Sequence, residues 1–389
     1  MRTTRRLSLV LVFTTALTVP AVASAAADAP PPARVVSRYE TASGNTVGRD
    51  CGYSAPLPAA SGQALWTFCD TAIMNPAGDV IGFVGGSTAA TGPYTAGQVP
   101  GDLSELPTPP AAPATPSDRS PAPFLPAPSG LVLPDGVTAC GTSGTSSYAA
   151  SWITGLTRGP NRTISGQSGT NLLFLTYANV CVANNAWTTQ SYGVTFYNPA
   201  TNQRVGPATV FPRPATGELA WQLRLGSPTF ATDGYLYLFT SLCTSSAFGA
   251  CGAGTVALAR TPWSGSTGWA TASSYTFWTG STWSTDPTAA ASALPGARPF
   301  SIDVRTFPGR GYVAIEQTTI AGHYRVWQSS APTGPWTAGA EAVLPGCAST
   351  TTYWCYAFIG HPELSTSTSL FISLYHPDDK HVRVVAVPW

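Results

Sequence analysis

Charge is scarce in this chain. Only 10% of its 389 residues are Asp, Glu, Lys or Arg, and one of the 19 basic residues is a lysine, Lys380. Residues 1–25 hold three of the basic side chains and no acid, so the remainder carries 16 basic against 18 acidic groups. That balance provides no field for nucleic acid or an anionic membrane as partner. Helical periodicity is almost absent, which leaves no basis for a helical bundle. No later apolar run is long enough to span a bilayer. There is no C-x-x-C pair of the kind that builds zinc sites, no G-x-S-x-G nucleophile elbow, no H-E-x-x-H and no phosphate-binding loop.

What is present begins with an export signal. MRTTRR is a positive n-region, LSLVLVFTTALTV an apolar h-region, and AVASAAA offers small residues for cleavage after Ala25. Residues 1–25 therefore read as a signal peptide, and the mature protein as secreted and extracellular. Eight cysteines suit that compartment. They fall in neighbouring pairs, Cys51 with Cys69, Cys140 with Cys181, Cys243 with Cys251 and Cys347 with Cys355. Short loops favour that pairing, although on the order of 100 connectivities exist for eight cysteines. Asn161-Arg162-Thr163 is a glycosylation sequon without further support.

Short β-rich runs alternate with Gly, Pro, Ser and Thr. One pattern recurs: a short strand opened by small or polar residues, a turn, then a strand rich in aromatic and branched residues. The copies are SAPLPAASGQALWTF (54–68), SPTFATDGYLYLF (227–239), SIDVRTFPGRGYVAI (301–315) and HPELSTSTSLFISLY (361–375). A looser copy runs from SWITGL (151–156) to TNLLFLTY (170–177). Five such hairpins predict an all-β fold, a five-bladed β-propeller over residues 45–389, preceded by an N-terminal extension at 26–44. A two-sheet sandwich is the alternative, but it would not explain why the repeats begin alike. Residues 100–134 hold eleven prolines. This density excludes a central strand, and the segment reads as an insertion between the first two blades.

The stretch RDCGYSAPLPAASGQALWTFCD (49–70) carries the sharpest local signal. If Cys51 faces Cys69 across an antiparallel pair, Asp50 faces Asp70 and the turn centres on Ala60. The aspartates then share the face opposite the sulfurs, with Cβ atoms about 4.5–5.5 Å apart. Two carboxylates this close do not both ionise easily, so one pKa rises or a cation intervenes, Arg49 being nearest in sequence. Such pairs perform acid/base chemistry on glycosides. The plainer reading has one aspartate capping a turn and the other accepting backbone amides.

Other candidates follow from equivalent positions in the repeat. Asp303, His361 and Glu363 lie near blade starts, Glu218 a few residues before the third copy, and Glu316 at the end of the fourth hairpin. His361 before a proline reads equally well as a hydrogen bond to a neighbouring blade. Asp378 and Asp379 read as a solvated turn. Trp152 and Trp221, near blade starts, are candidate sugar platforms. The tryptophans of TPWSGSTGWATASSYTFWTGSTW (261–283) read as filling outer strands.

RDCGYSAPLPAASGQALWTFCDT (49–71), PFLPAPSGLVLPDG (123–136), GSPTFATDGYLYLF (226–239), SSAPTGPW (329–336) and HPELS (361–365) together resemble secreted actinobacterial five-bladed propellers. That family, many of whose members are uncharacterised, is related in architecture to arabinanase- and levanase-type glycoside hydrolases. The resemblance implies an aspartate of the first blade as base or nucleophile, and Asp50 matches it by motif. It also implies a second aspartate that tunes its partner and a glutamate acid from a middle blade, for which this chain has no secure match; the candidates by position are Asp70 or Asp303 for the first and Glu218 or Glu363 for the second. Glu218 stands outside the repeat copy, so that match is by neighbourhood only. Proteins of that kind more often show glycine where this chain has Cys51 and Cys69, and the paired replacement supports a disulfide.

The resulting expectation is a monomeric, exported hydrolase of a furanoside-rich polysaccharide, with catalytic candidates Asp50, Asp70, Glu218, Asp303 and Glu363. Arg49, Trp152, Trp221 and His361 would bind substrate. No cofactor is indicated, and a channel cation such as calcium stays open. The alternatives are a non-catalytic carbohydrate-binding or cell-wall-associated propeller, and a protein-interaction scaffold.

Overall fold

Alternating apolar residues and tight turns produce hairpins, and each hairpin needs a neighbour to cover its second face. The computed structural model describes residues 32–58, 62–107, 119–133, 138–141, 147–184, 186–212, 223–247, 250–263, 268–298, 301–319, 321–347 and 355–389. Five antiparallel sheets of four or five strands form a five-bladed β-propeller. The inner strands are Thr46–Pro56, Ser147–Arg158, Leu223–Phe230, Ile302–Phe307 and Tyr356–Gly360. Consecutive inner strands touch, and the fifth touches the first, so the ring is closed. Among the described residues, no helix is long and apolar enough to cross a membrane.

The core is divided among the blade interfaces. Five buried clusters each span one junction: Leu65 with Ile153, Phe174 with Leu238, Phe239 with Val304, Ile315 with Ile372, and Phe371 with Trp66. Full burial of each such side chain stabilises by about 1.5–3 kcal/mol before entropy is counted. Gly155 marks a close approach of two inner strands: a Cβ there would lie 2.4 Å from Cδ of Pro228 and 2.7 Å from the Ser227 nitrogen.

The chain terminus closes the ring. Ala33–Arg34 pairs with His381–Pro388 as the outermost strand of the fifth blade. The segment read as an extension at 26–44 thus joins the ring from residue 33. A short helix, Arg38–Ser43, follows, capped by Ser37 and by Glu40 in a capping box. Buried Glu40 also accepts from the Val47 nitrogen at 3.2 Å and pairs with Arg34 at 3.2 Å. The proline-rich segment is part blade: Ser104–Glu105 is the outer strand of the first sheet, and Leu103 is fully buried.

One hairpin copy is displaced. HPELS does not form the inner strand of the fifth blade; Tyr356–Gly360, just upstream, does, and 361–368 is a turn. Pro362 cannot donate to a ladder, whereas YAFIG holds no proline and buries its last three residues. The aromatic run at 261–283 is architectural. Trp269 is buried between the second and third blades, and Arg260 lies 3.9 Å over the ring of Trp283.

Candidate active site

The first hairpin keeps the register predicted from its cysteines over most of its length. Thr46–Arg49 faces Met74–Thr71, and Tyr53–Pro56 faces Thr67–Ala64. Between these stretches the ladder breaks: Cys51 faces Phe68, and Asp50 has no partner. Cys51 and Gly52 adopt φ of +66° and +108°. A left-handed cysteine costs on the order of 1 kcal/mol, a strain that persists only where its surroundings enforce it. The Cys51–Cys69 disulfide, with Cα atoms 5.5 Å apart, supplies that enforcement.

This irregularity overturns one expectation. A carboxylate oxygen of Asp50 lies within 4.8 Å of both sulfurs, so the acid and the disulfide are not on opposite faces. Strict alternation fails because the backbone rotates at Cys51 and Gly52. The two sulfurs are bonded to each other and are not free to ligate a metal.

The two aspartates are held very differently. Asp70 accepts from the Gly86 nitrogen at 2.7 Å, from Trp152 Nε1 at 2.8 Å and from the Tyr148 hydroxyl. Asp50 accepts from the Tyr356 hydroxyl at 2.7 Å, and its Oδ1 is buried with no hydrogen bond among the described residues. Burial, then the charge of Asp70, pushes the Asp50 pKa up to about 7 against the opposing Tyr356 hydrogen bond. Burial also raises Asp70, but its three donors oppose the rise. The pair therefore titrates as a unit, with Asp70 favoured as the ionised member and Asp50 as the proton carrier. Burial and the Asp50 charge push Tyr375 up to about 12. Tyr148 and Tyr356 are also raised, by burial first and by their aspartate partners second, so they stay neutral donors.

Flat rings frame the pair. Phe83 sits edge-on to Tyr148 at 5.2 Å, Trp187 to Trp152 at 5.6 Å, and Tyr356 lies 4.7 Å from Tyr375. Beside them Val80–Val84 is exposed, with Ile81 and Phe83 57% and 44% exposed. This mouth is where the inner strands begin: Tyr148, Trp152 and Tyr356 all lie in the first halves of theirs.

Asp303, His361 and Glu363 belong to a second cluster. Asp303 accepts from Arg305 Nε at 2.9 Å, from the Gly360 nitrogen at 2.8 Å and from Ser227 Oγ at 3.3 Å. Arg305 Nη1 donates to the Ser54 carbonyl at 2.7 Å. Ser54 Oγ lies 2.6 Å from His361 Nδ1 and also donates to Glu363. Burial raises Glu363, but His361, Arg305 and Ser54 together outweigh it and lower its pKa. Ser54 stands four residues after Asp50 along the channel, about 13 Å at strand rise. The structure thus separates the acids expected in one pocket into two groups.

Arg49 does not face the channel. It is buried, paired with Glu105 at 2.8 Å and stacked 3.8 Å over Phe68, where it anchors the outer strand of the first blade. Glu316 is likewise buried, accepting from Trp327 Nε1 at 2.7 Å and from the Arg298 nitrogen at 2.7 Å. Cys140–Cys181 and Cys347–Cys355 are disulfides. Residues 1–25, Glu218, Trp221 and the side chains of Cys243 and Cys251 lie outside what is described. Sequence reasoning missed Tyr148, Tyr356, Ser54 and Arg305. Tyr148 carried a signal, since it shares the face of Trp152 at a spacing of four in a strand that begins earlier than SWITGL.

A domain of unknown function (DUF5005) matches residues 213–383, less than half of the chain. No curated protein matches in sequence. A similar solved structure is an exo-β-1,3-galactanase from Phanerochaete chrysosporium with β-1,3-galactotriose. It is 10% identical with a TM-score of 0.45 over 92% of this chain, which spans 63% of the length of that enzyme. A GH43_1 enzyme from Xanthomonas citri is 11% identical with a TM-score of 0.45, over 92% of this chain and 89% of that one. A family 117 glycoside hydrolase from Zobellia galactanivorans is 10% identical with a TM-score of 0.43, over 91% and 89%. No residue role is carried across from them.

Proposed function

We propose that this chain is an exported glycoside hydrolase of the propeller type, acting on a neutral, furanoside-rich polysaccharide through Asp50 and Asp70. One observation carries the reading: a carboxyl group raised to about 7 beside a second, firmly held carboxylate, framed by aromatic rings. A carboxylate of ordinary pKa is a weak base at neutral pH, whereas one near 7 exchanges a proton readily there. The rings offer stacking faces for sugars, and the low net charge suits an uncharged glycan.

In this mechanism ionised Asp50 takes a proton from the attacking water as oxygen bonds to the anomeric carbon. Asp70 stays charged, tuning Asp50 and favouring the positive charge that develops on the sugar. The glycosidic bond breaks as its oxygen receives a proton from an acid. Glu363 stands at the other mouth, which leaves Glu218 as the proposed acid. Three disulfides fit an oxidising compartment outside the cytoplasm.

Reducing-sugar release from arabinan-type and other cell-wall glycans tests the proposal. Wild type should release product and Asp50→Asn should not; equal rates would remove Asp50 from the mechanism. The non-catalytic reading draws on Asp70, whose three donors are what a purely structural carboxylate would have. Glycan binding by wild type and Asp50→Asn alike, with no product from either, would establish it.

A further inference from the structure

The channel has a second mouth, and it is not empty of chemistry. A cavity of about 470 Å³ opens there. Its walls are residues 54–56, 156–158, 228–229, 305–306 and 362–363, which are the last residues of the five inner strands or lie just past them. It is therefore at the opposite end from Asp50, Tyr148 and Tyr356.

Two groups in its lining are buried yet incompletely used. Arg305 is 9% exposed, and although Nε and Nη1 are bonded, its Nη2 is buried without an acceptor among the described residues. Glu363 has a side chain 3% exposed, with one oxygen bonded to Ser54 and the other accepting nothing among the described residues. A buried guanidinium N–H without a partner is costly, and a ligand that satisfies it gains accordingly. Both side chains line the same cavity.

We propose that this cavity is a second, non-catalytic binding site for a neutral sugar residue. A hydroxyl both donates and accepts, so neighbouring hydroxyls of a sugar pair with Glu363 and Arg305 together, the usual way a site reads a polyol. Four prolines, among them Pro56 and Pro362, together with Tyr94 form apolar walls against which the C–H faces of the ring pack. Thr229 and Thr306 add hydroxyls. An anion is the poorer fit, because Arg305 is already neutralised by Asp303 and the Glu363 carboxylate would repel it. The proposal does not depend on hydrolysis at the other mouth.

The test is ligand-observed NMR and calorimetric titration of the full chain carrying Asp50→Asn, so that turnover plays no part. The probes are arabinose, galactose, glucuronate and inorganic phosphate. Saturable binding of a neutral sugar is expected. Thr306→Trp, at an exposed position that lines the cavity, should weaken it by at least about tenfold while leaving the unfolding transition unchanged. Glu363→Gln should weaken it too. No saturable binding, binding of glucuronate or phosphate in preference to sugar, or sugar binding indifferent to Thr306→Trp would each overturn the proposal. Loss of hydrolysis alone would not bear on it.

Discussion

The two mouths of the channel use the same residue types to opposite ends. Where the inner strands begin, the charges of Asp50 and Asp70 act on one another, and among the described residues no cation pairs with either. Where they end, Asp303 and Glu363 sit among Arg305, His361 and Ser54, and hydrogen bonds tie four blades together. Burial disfavours a charged carboxyl at both ends. What differs is compensation: it is withheld from Asp50, whose pKa climbs to about 7, and supplied to Glu363, whose pKa falls. A buried acid without a counter-charge stores reactivity, and one with a counter-charge stores structure.

This contrast can be broken from either side. The largest effect should come from Asp50→Asn, which should lower glycan hydrolysis by about 10²–10⁴-fold, as removal of a proton-transfer group does. Its circular dichroism should be that of wild type. At the other mouth Arg305→Met should leave Asp303 as an uncompensated buried charge and cost about 3–5 kcal/mol, read by denaturant unfolding.

The pH dependences should run in opposite directions. The raised Asp50 contributes stability that is full below about pH 4 and is lost as pH rises to about 7. Asp50→Asn should therefore flatten that decline and raise the melting temperature by a few degrees at pH 8. Glu363 is lowered, so its contribution is present above its ordinary pKa and lost as pH falls through its folded value. Glu363→Gln should remove that acid-side loss. Activity should rise with pH through about 7 in wild type, and Asp70→Asn should move this limb to lower pH by removing the neighbouring charge. The smallest effect belongs to Trp152→Phe. It deletes one of three donors to Asp70 and should cost about 1 kcal/mol, with the activity limb displaced only slightly.

Much of this was legible without coordinates. Asp50 and Asp70 could be paired because cysteines one residue away set a register, and that register holds on both sides of the pair. The strain at Cys51 and Gly52 was not legible. A positive φ leaves no mark in composition when the residue is cysteine, whereas a glycine would adopt it freely. Arg49 was misread for a similar reason: its partner Glu105 lies in a proline-rich segment that looked like an excursion but docks as an outer strand.

By itself the amino-acid order determined the strands, their turns and the number of blades, because period-2 alternation and turn chemistry act over a few residues. It also brought Asp50 near Asp70, because both lie on one hairpin. Tertiary structure alone decided which acid stands uncompensated. Tyr148, Trp152 and Tyr356 reach the pair from the second and fifth blades, and Arg305 crosses from the fourth blade to Ser54 in the first. Such partners are separated by up to 306 residues, and only closure of the ring, with Ala33–Arg34 completing the last blade, brings them within hydrogen-bonding range.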